Sequence, residues 1–367
     1  MRWLVSLCLV ATAAHARDID WPAYGGHPGG GHYSAAAQVN RDNVDRLETA
    51  WIHRSGDYKG GLQSLTEAVS EELQASRPTS FISTPIVTEG TMYYCTPFNR
   101  VFALDPGTGA ERWVFDPQVD MSQEHLTNCR GVSSWMAPER TGAACEHRIL
   151  LATLDARLIA IDGQTGKACA DFGVDGEVDL TEGLTAHEGD EYGVTSAPAI
   201  IGNLVITGAY VTDSIRSDIP SGVVRAYDVR TGAFAWGWNP VHPDHPARDE
   251  AGRFVPATTN VWSTISVDAQ RKLVIVPTGN SSPDYYGGDR AGHQDHYSSS
   301  VVALHADTGE VAWFYQTVHH DIWDYDVPAQ PTFTDVTIDG RTRPAVVQVT
   351  KMGLTFVLDR DTGDQCP

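Results

Sequence analysis

An all-β propeller is the fold class this sequence predicts, on three observations. A turn pattern, Asp-x-x-Thr-Gly, recurs five times, once with His305 in the place of Asp, and successive threonines stand 57, 66, 77 and 54 residues apart. Three copies carry a tryptophan four residues beyond the glycine, at Trp113, Trp236 and Trp313. No long 3.6-residue apolar period competes with this repeat.

Each copy reads as a hairpin. A strand ends in Asp, whose side chain bonds the turn backbone, Thr-Gly supplies the turn with glycine at positive φ, and a second strand runs on toward Trp. A further strand pair precedes most copies, as in Thr84-Pro-Ile-Val-Thr-Glu-Gly90-Thr-Met-Tyr-Tyr94 and Ala197-Pro-Ala-Ile-Ile-Gly202-Asn-Leu-Val-Ile206. Four short strands make a propeller blade, and the recurrent indole is an apolar plug between neighbouring blades. The repeats therefore predict about five blades' worth of chain. Short helices are expected over 43–49 and 65–74.

The chain opens with an address. Met1-Arg2 is a positive start, Trp3 to Ala14 is apolar, and Ala14-His15-Ala16 has the small-x-small form of a cleavage site. Residues 1–16 are expected to be a secretory signal peptide and 17–367 the propeller domain, with a bacterial periplasm as the simplest destination. No other run approaches the length of a membrane span.

Acidic residues outnumber Lys and Arg by 47 to 26, a formal charge of −21 that repels phosphate backbones and argues against a nucleic-acid partner. Beyond the signal, cysteines stand at 95, 129, 145, 169 and 366. Cys129, Cys145 and Cys169 are close enough for one bridge, with Cys129 to Cys145 favoured, and Cys95 in its apolar run reads as a buried thiol. No cysteine pattern has zinc spacing.

The densest chemistry lies in His319-His320-Asp321-Ile-Trp323-Asp324-Tyr-Asp326, directly after the fourth turn. Polar groups beside indole rings are costly to bury unless they are paired or used. Lys351 sits between Val-Val-Gln-Val-Thr and a second apolar run, an awkward place for a solvated side chain.

Several stretches together resemble the pyrroloquinoline quinone (PQQ) dehydrogenases. They are Trp21-Pro-Ala-Tyr-Gly25-Gly26 with Ala50-Trp51, Cys129-Arg130-Gly131-Val132, Thr278-Gly279-Asn280-Ser-Ser-Pro283-Asp284, Val318-His-His-Asp321-Ile-Trp323-Asp324, and Lys351-x-Gly353-x-x-Phe356-Val-Leu358-Asp359-Arg360. Adjacent cysteines are absent, so the likeness is to the glucose, quinate and polyol branch rather than the methanol branch.

That resemblance implies eight blades, PQQ on the propeller axis and a Ca²⁺ or Mg²⁺ ion beside it. It assigns Asp321 as general base, with Asp324 and His320 orienting it, and Lys351 as the cation bonding the quinone oxygens. Trp262 would stack on the cofactor, Arg130, Thr195, Ser196 and His125 would contact it, and Asn280 and Asp213 would offer oxygen to the metal. Substrate would be a small sugar, polyol or cyclic alcohol. The sequence has no Cys-x-x-Cys-His for haem, so electrons would pass to a membrane quinone or a separate carrier. Five repeats against eight blades lead to the expectation of a fragment, inactive on its own. The competing expectation is a propeller without turnover, an envelope scaffold or ligand-binding protein.

Overall fold

The computed structural model describes residues 19–57, 79–120, 127–187, 189–212 and 218–366. Residues 1–16, the 65–74 helix, His125 and Asp213 lie outside them. Strands account for nearly all the regular structure. The first sheet is β1 (Ile86–Thr88), β2 (Thr91–Cys95), β3 (Val101–Leu104) and β4 (Glu111–Phe115); the second is β5 (Ser133–Met136), β6 (His147–Ala152), β7 (Arg157–Asp162) and β8 (Glu177–Asp179). A short pair, β9 (Tyr192–Gly193) with β12 (Tyr210–Val211), flanks the third sheet of β10 (Ala199–Ile201), β11 (Leu204–Thr207), β13 (Val224–Asp228) and β14 (Phe234–Trp238). The fourth is β15 (Ser266–Asp268), β16 (Leu273–Pro277), β17 (Ser300–His305) and β18 (Val311–Gln316). The fifth is β19 (Thr332–Ile338), β20 (Arg341–Val349) and β21 (Thr355–Asp359).

Within each sheet neighbouring strands pair antiparallel. The first strands of successive sheets are stitched to one another. Thr84 N–H donates to Arg130 O and Arg130 N–H to Thr195 O, while the hydroxyls of Ser196 and Ser266 donate to Trp262 O and Pro331 O. Sheets fanned about a common line of inner strands are propeller blades, as the repeat predicts.

The core lies between blades. Separate apolar slabs fill the gaps between the first and second, second and third, third and fourth, and fourth and fifth sheets, for example Tyr93, Val101, Ile149 and Ile161 in the first gap. The Thr-Gly turns are held by an Asp of their own blade, by an indole from the segment before, or by both, and Gly232 meets Gly173 and Val178 in place of an indole. Asp105 Oδ1 accepts from the amides of Gly107 and Thr108 and from the Thr108 hydroxyl, and Asp162 and Asp228 repeat the arrangement. The indole of the preceding blade lies on the turn glycine and donates its N–H across the gap, Trp113 to Gly163 O, Trp236 to Ala306 O and Trp313 to Arg360 O. Trp51 plays the same part for the first blade, donating to Pro106 O and lying on Gly109.

The N-terminal segment bridges the blades. Trp21 pairs with Val87 beside β1, Pro28 O accepts from Val267 N–H on β15, and Gly29 O accepts from Phe333 N–H on β19.

Two expectations are corrected here. The 43–49 helix is a single 3-10 turn, Val44–Arg46, because the Asn43 side chain is spent on Asn40 N–H and Gln38 O rather than on capping a longer helix. The bridges are Cys95–Cys129 and Cys145–Cys169, with Cys366 free and buried. Cys95 closes β2 and faces Cys129 in the slab between the first two blades. Cys145 lies with Cys169 against the next slab, between the second and third blades. The favoured Cys129–Cys145 link would have to cross the second sheet.

Cys95→Ser with Cys129→Ser frees a loop of 34 residues, and the chain-entropy account puts the loss at about 3–4 kcal/mol. Chemical denaturation should show a lowered midpoint in the double variant, with the Cys145–Cys169 bridge intact by mass.

Candidate active site

The inner ends of the second to fifth blades bring one cluster together. Asp326, in the loop before β19, is its hub. Its Oδ2 accepts from Trp262 Nε1 at 3.1 Å and from Lys351 Nζ at 3.1 Å, and its Oδ1 accepts from the Asn280 backbone amide. Lys351 Nζ also reaches Asp324 Oδ1 at 3.1 Å. Asp324 is held at φ +59°, a backbone region non-glycine residues seldom adopt and which concentrates at functional sites.

Burial drives the Asp326 carboxyl above the usual carboxylate range against the lowering pull of Lys351, and neighbouring Asp324 pushes it further up. Burial lowers the Lys351 ammonium, but the two carboxylates outweigh it and hold the group above its ordinary value. The triad thus carries two carboxylates on one cation.

Trp262 is the floor of the cluster. Arg130 lies over its ring at 5.0 Å and donates to Thr195 Oγ1, while the Thr195 and Ser196 hydroxyls donate to Trp262 O. Burial pulls the Arg130 guanidinium below its ordinary range, with Tyr24 opposing. Among the described residues it has no carboxylate within ion-pair range. A half-buried guanidinium short of an anion beside an indole face suits a flat ligand bearing carboxylates.

The structure brings Arg130, Thr195, Ser196, Trp262, Asn280 and Lys351 together. It gives Asp321 a different place. Asp321 is fully buried, and its oxygens accept from Ser299 Oγ at 2.7 Å, Trp323 N–H at 2.9 Å and Tyr325 N–H at 2.8 Å. A carboxylate saturated by its own loop holds that loop's shape, and it is Asp324 and Asp326 that meet Lys351. Asn280 likewise spends its amide oxygen locally, on Ser281 N–H and Ser298 Oγ, and touches Asp326 through its backbone. Lys351 is part exposed rather than enclosed as its apolar flanks suggest, because it stands in the turn after β20.

Two residues escape a reading by sequence. Asp326 was one carboxylate among three in its loop, and nothing in the spacing marks it as the hub. Asn260 is 94% buried (6% exposed), and its Oδ1 has no hydrogen-bond partner among the described residues. That oxygen and Asp326 Oδ1 both flank Gly279, at 3.4 and 3.1 Å from where a Cβ would stand. Two acceptors around a bare glycine, with no donor for one of them, fit a hard cation. The cluster of Cys145, Cys169 and Asp171 has no such use, since its sulfurs are joined to each other.

This propeller is therefore equipped to hold a flat anionic cofactor on an indole, with a cation beside it. Residues 21–366 match the family described as PQQ, glucose/ethanol/alcohol dehydrogenase, β-propeller domain, and the chain belongs to that family. It is 39% identical to quinoprotein glucose dehydrogenase of Escherichia coli (strain K12) over 95% of this chain and 43% of that protein. Quinate/shikimate dehydrogenase (quinone) of Acinetobacter baylyi is 37% identical over 97% and 45%. The structure of quinohemoprotein alcohol dehydrogenase from Comamonas testosteroni superposes with a TM-score of 0.74 at 28% identity, covering 96% of this chain and 49% of that one. The chain spans just under half the length of these relatives. Membership of a dehydrogenase family weighs against the scaffold expectation.

Proposed function

We propose that the chain carries the PQQ site of a periplasmic dehydrogenase that oxidises a sugar, polyol or cyclic alcohol, with Asp324 as its base. The observation that carries the proposal is the Asp324–Lys351–Asp326 triad standing against Trp262. Arg130, Thr195, Ser196 and Trp262 would hold the cofactor. Asp326 and Asn260 would hold Ca²⁺ or Mg²⁺, with Asn280 fixing Asp326. His125 and Asp213 stay candidate partners of cofactor and metal.

PQQ, when bound, supplies the two-electron acceptor. The chain's own work is proton handling and orientation. Asp324 has an accessible carboxylate, 27% exposed along its side chain, and can take the proton of a substrate hydroxyl. Lys351 pairs with that carboxylate at 3.1 Å and aims it, and its charge would face whatever negative charge builds at the acceptor. Asp321 sets the loop that presents Asp324. The apolar start and small-x-small site in residues 1–16 support the periplasm, and a membrane quinone or separate carrier would take the electrons on.

The test is reconstitution of the chain with PQQ and CaCl₂ or MgCl₂, read by quenching of tryptophan fluorescence and by dye-linked oxidation of glucose, quinate and glycerol. Stoichiometric quenching is expected. Asp324→Asn should bind PQQ like the parent and lose at least about 100-fold in turnover, the usual span of a lost general base. Asp321→Asn should lower thermal stability and reduce turnover less. Measurable and equal turnover in Asp324→Asn and parent would overturn the assignment, and absence of quenching would overturn the PQQ site itself.

A further inference from the structure

Ser298-Ser299-Ser300 leads into β17, and all three side chains are fully buried. Ser299 stands at φ +45°, a backbone region that glycine adopts freely and serine only with strain. Such strain persists where the surroundings fix it, and here each polar group of the residue is engaged. The Ser299 N–H donates to Gly279 O at 3.0 Å, its carbonyl accepts from the Thr317 amide at 2.9 Å and the Thr317 hydroxyl at 2.6 Å, and its hydroxyl donates to Asp321 Oδ2 at 2.7 Å. We propose, on the reading of Asp324 as the base, that Ser299 is a positioning residue of the dehydrogenase site, tying the loop that carries Asp324 to the strand end where Gly279 lies between Asn260 and Asp326.

At one end of the tie is Asp321. Two of its three donors, Trp323 N–H and Tyr325 N–H, belong to its own loop, and Ser299 alone comes from another element. Asp324 stands between those two amides in sequence. The chain on both sides of the proposed base is therefore fixed to one carboxylate, and Ser299 fixes that carboxylate to the blade. A buried carboxylate keeps its place only while its donors are present, and the loss of one leaves the group short of a partner.

At the other end are the residues around Gly279. Gly279 O takes the Ser299 N–H, and Gly279 N–H donates to Asn260 O at 2.8 Å. Ser298 Oγ donates to Asn280 Oδ1 at 3.1 Å, and Val327 N–H, next in the chain to Asp326, donates to Thr278 O at 3.1 Å. One buried stretch thus holds both the Asp324 loop and the acceptors beside Gly279, and the two keep their spacing through it. A backbone that had only to make this bend would favour glycine, and alanine would share the strain without bonding Asp321. The hydroxyl is what serine adds.

Amide hydrogen exchange of the full chain without PQQ or metal, read on peptides spanning 318–326, tests this. Ser299→Gly relieves the backbone and removes the hydroxyl, and should exchange at least about 10-fold faster there, as a lost hydrogen bond to a buried carboxylate requires, while β6 and β7 exchange like the parent. Ser299→Ala should do the same and lower the thermal midpoint further, since it keeps the strain. In chain reconstituted with PQQ and CaCl₂, Ser299→Gly should quench like the parent and lose at least about 10-fold in kcat with little change in KM, a split that a general loss of stability would not produce. Parent-like exchange over 318–326 in Ser299→Gly, or parent-like kcat where the parent turns over, overturns the role. The exchange measurement contains no cofactor, so absence of quenching in the parent overturns the dehydrogenase reading and leaves the exchange result standing.

Discussion

Lys351→Met should abolish PQQ-dependent oxidation, with a loss of at least about 100-fold in kcat/KM, and should weaken PQQ binding in the same protein. Three functions meet on one ammonium. It pairs with Asp326, which is 8% exposed, it aims Asp324, and under the proposed function it would face the cofactor beside Trp262. Methionine keeps the length and removes all three. Leaving one partner of a buried pair alone usually costs 3–5 kcal/mol. Here Lys351 is about a third exposed, so solvent takes over part of its work and a loss of about 1–2 kcal/mol is expected.

The pH dependence follows in sign. Lys351 is held above its ordinary value, so its contribution to stability is complete below the unfolded lysine value and is lost as pH rises through the folded one. Asp326 is raised by burial. The folded chain therefore keeps that proton to higher pH than the unfolded chain, and stability falls as pH climbs from the ordinary aspartate value through the folded value. Removing Lys351 takes away the lowering pull on Asp326. Its carboxyl should then titrate higher still, shifting the acid side of the stability profile upward while the alkaline loss disappears. Denaturant midpoints across pH would show both changes. A profile in Lys351→Met identical to the parent would mean that the lysine and the two carboxylates do not interact in solution.

How much of this was written in the sequence differs by level. The blades were legible because a propeller repeats its own signal. An Asp that bonds the turn, a Thr that bonds the Asp and a Gly at positive φ are local demands, met together within five residues at Asp105, Asp162 and Asp228. Trp262, Arg130 and Lys351 were legible through family motifs, and the structure brings them into one cluster. The choice among Asp321, Asp324 and Asp326 was not, because within one loop it depends on which carboxylate the chain wraps around and which two point across to another blade. Asp321 is wrapped, by Ser299 and two amides of its own loop. The bridges were illegible for a related reason, since cysteine spacing says nothing about which side of a sheet each sulfur faces.

Gly309→Ala should be the most destabilising single methyl that can be added to the five Thr-Gly turns. Gly309 sits at φ +74°, a region alanine adopts only with strain, and the added Cβ would stand 2.4 Å from Trp236 Cε3. Neither partner can yield. Trp236 is 6% exposed, packs in the slab between the third and fourth blades, and has its N–H fixed on Ala306 O at 2.7 Å. Strain at positive φ and overpacking each cost about 1–3 kcal/mol, so a loss of roughly 2–6 kcal/mol is expected. Gly202→Ala is the control. It shares positive φ, at +58°, but has nothing within 4 Å of the added carbon, so it should lose the strain component alone. If the two variants unfold at the same denaturant concentration, the indole contact contributes nothing and the recurrent tryptophans are not what locks one blade to the next. A larger loss in Gly309→Ala locates the join between blades at the Thr-Gly turn, the position where Gly166 meets Trp113 and Gly363 meets Trp313 in the same way. Blade docking then depends on a glycine and an indole repeated in register, and the spacing between repeats is free to vary.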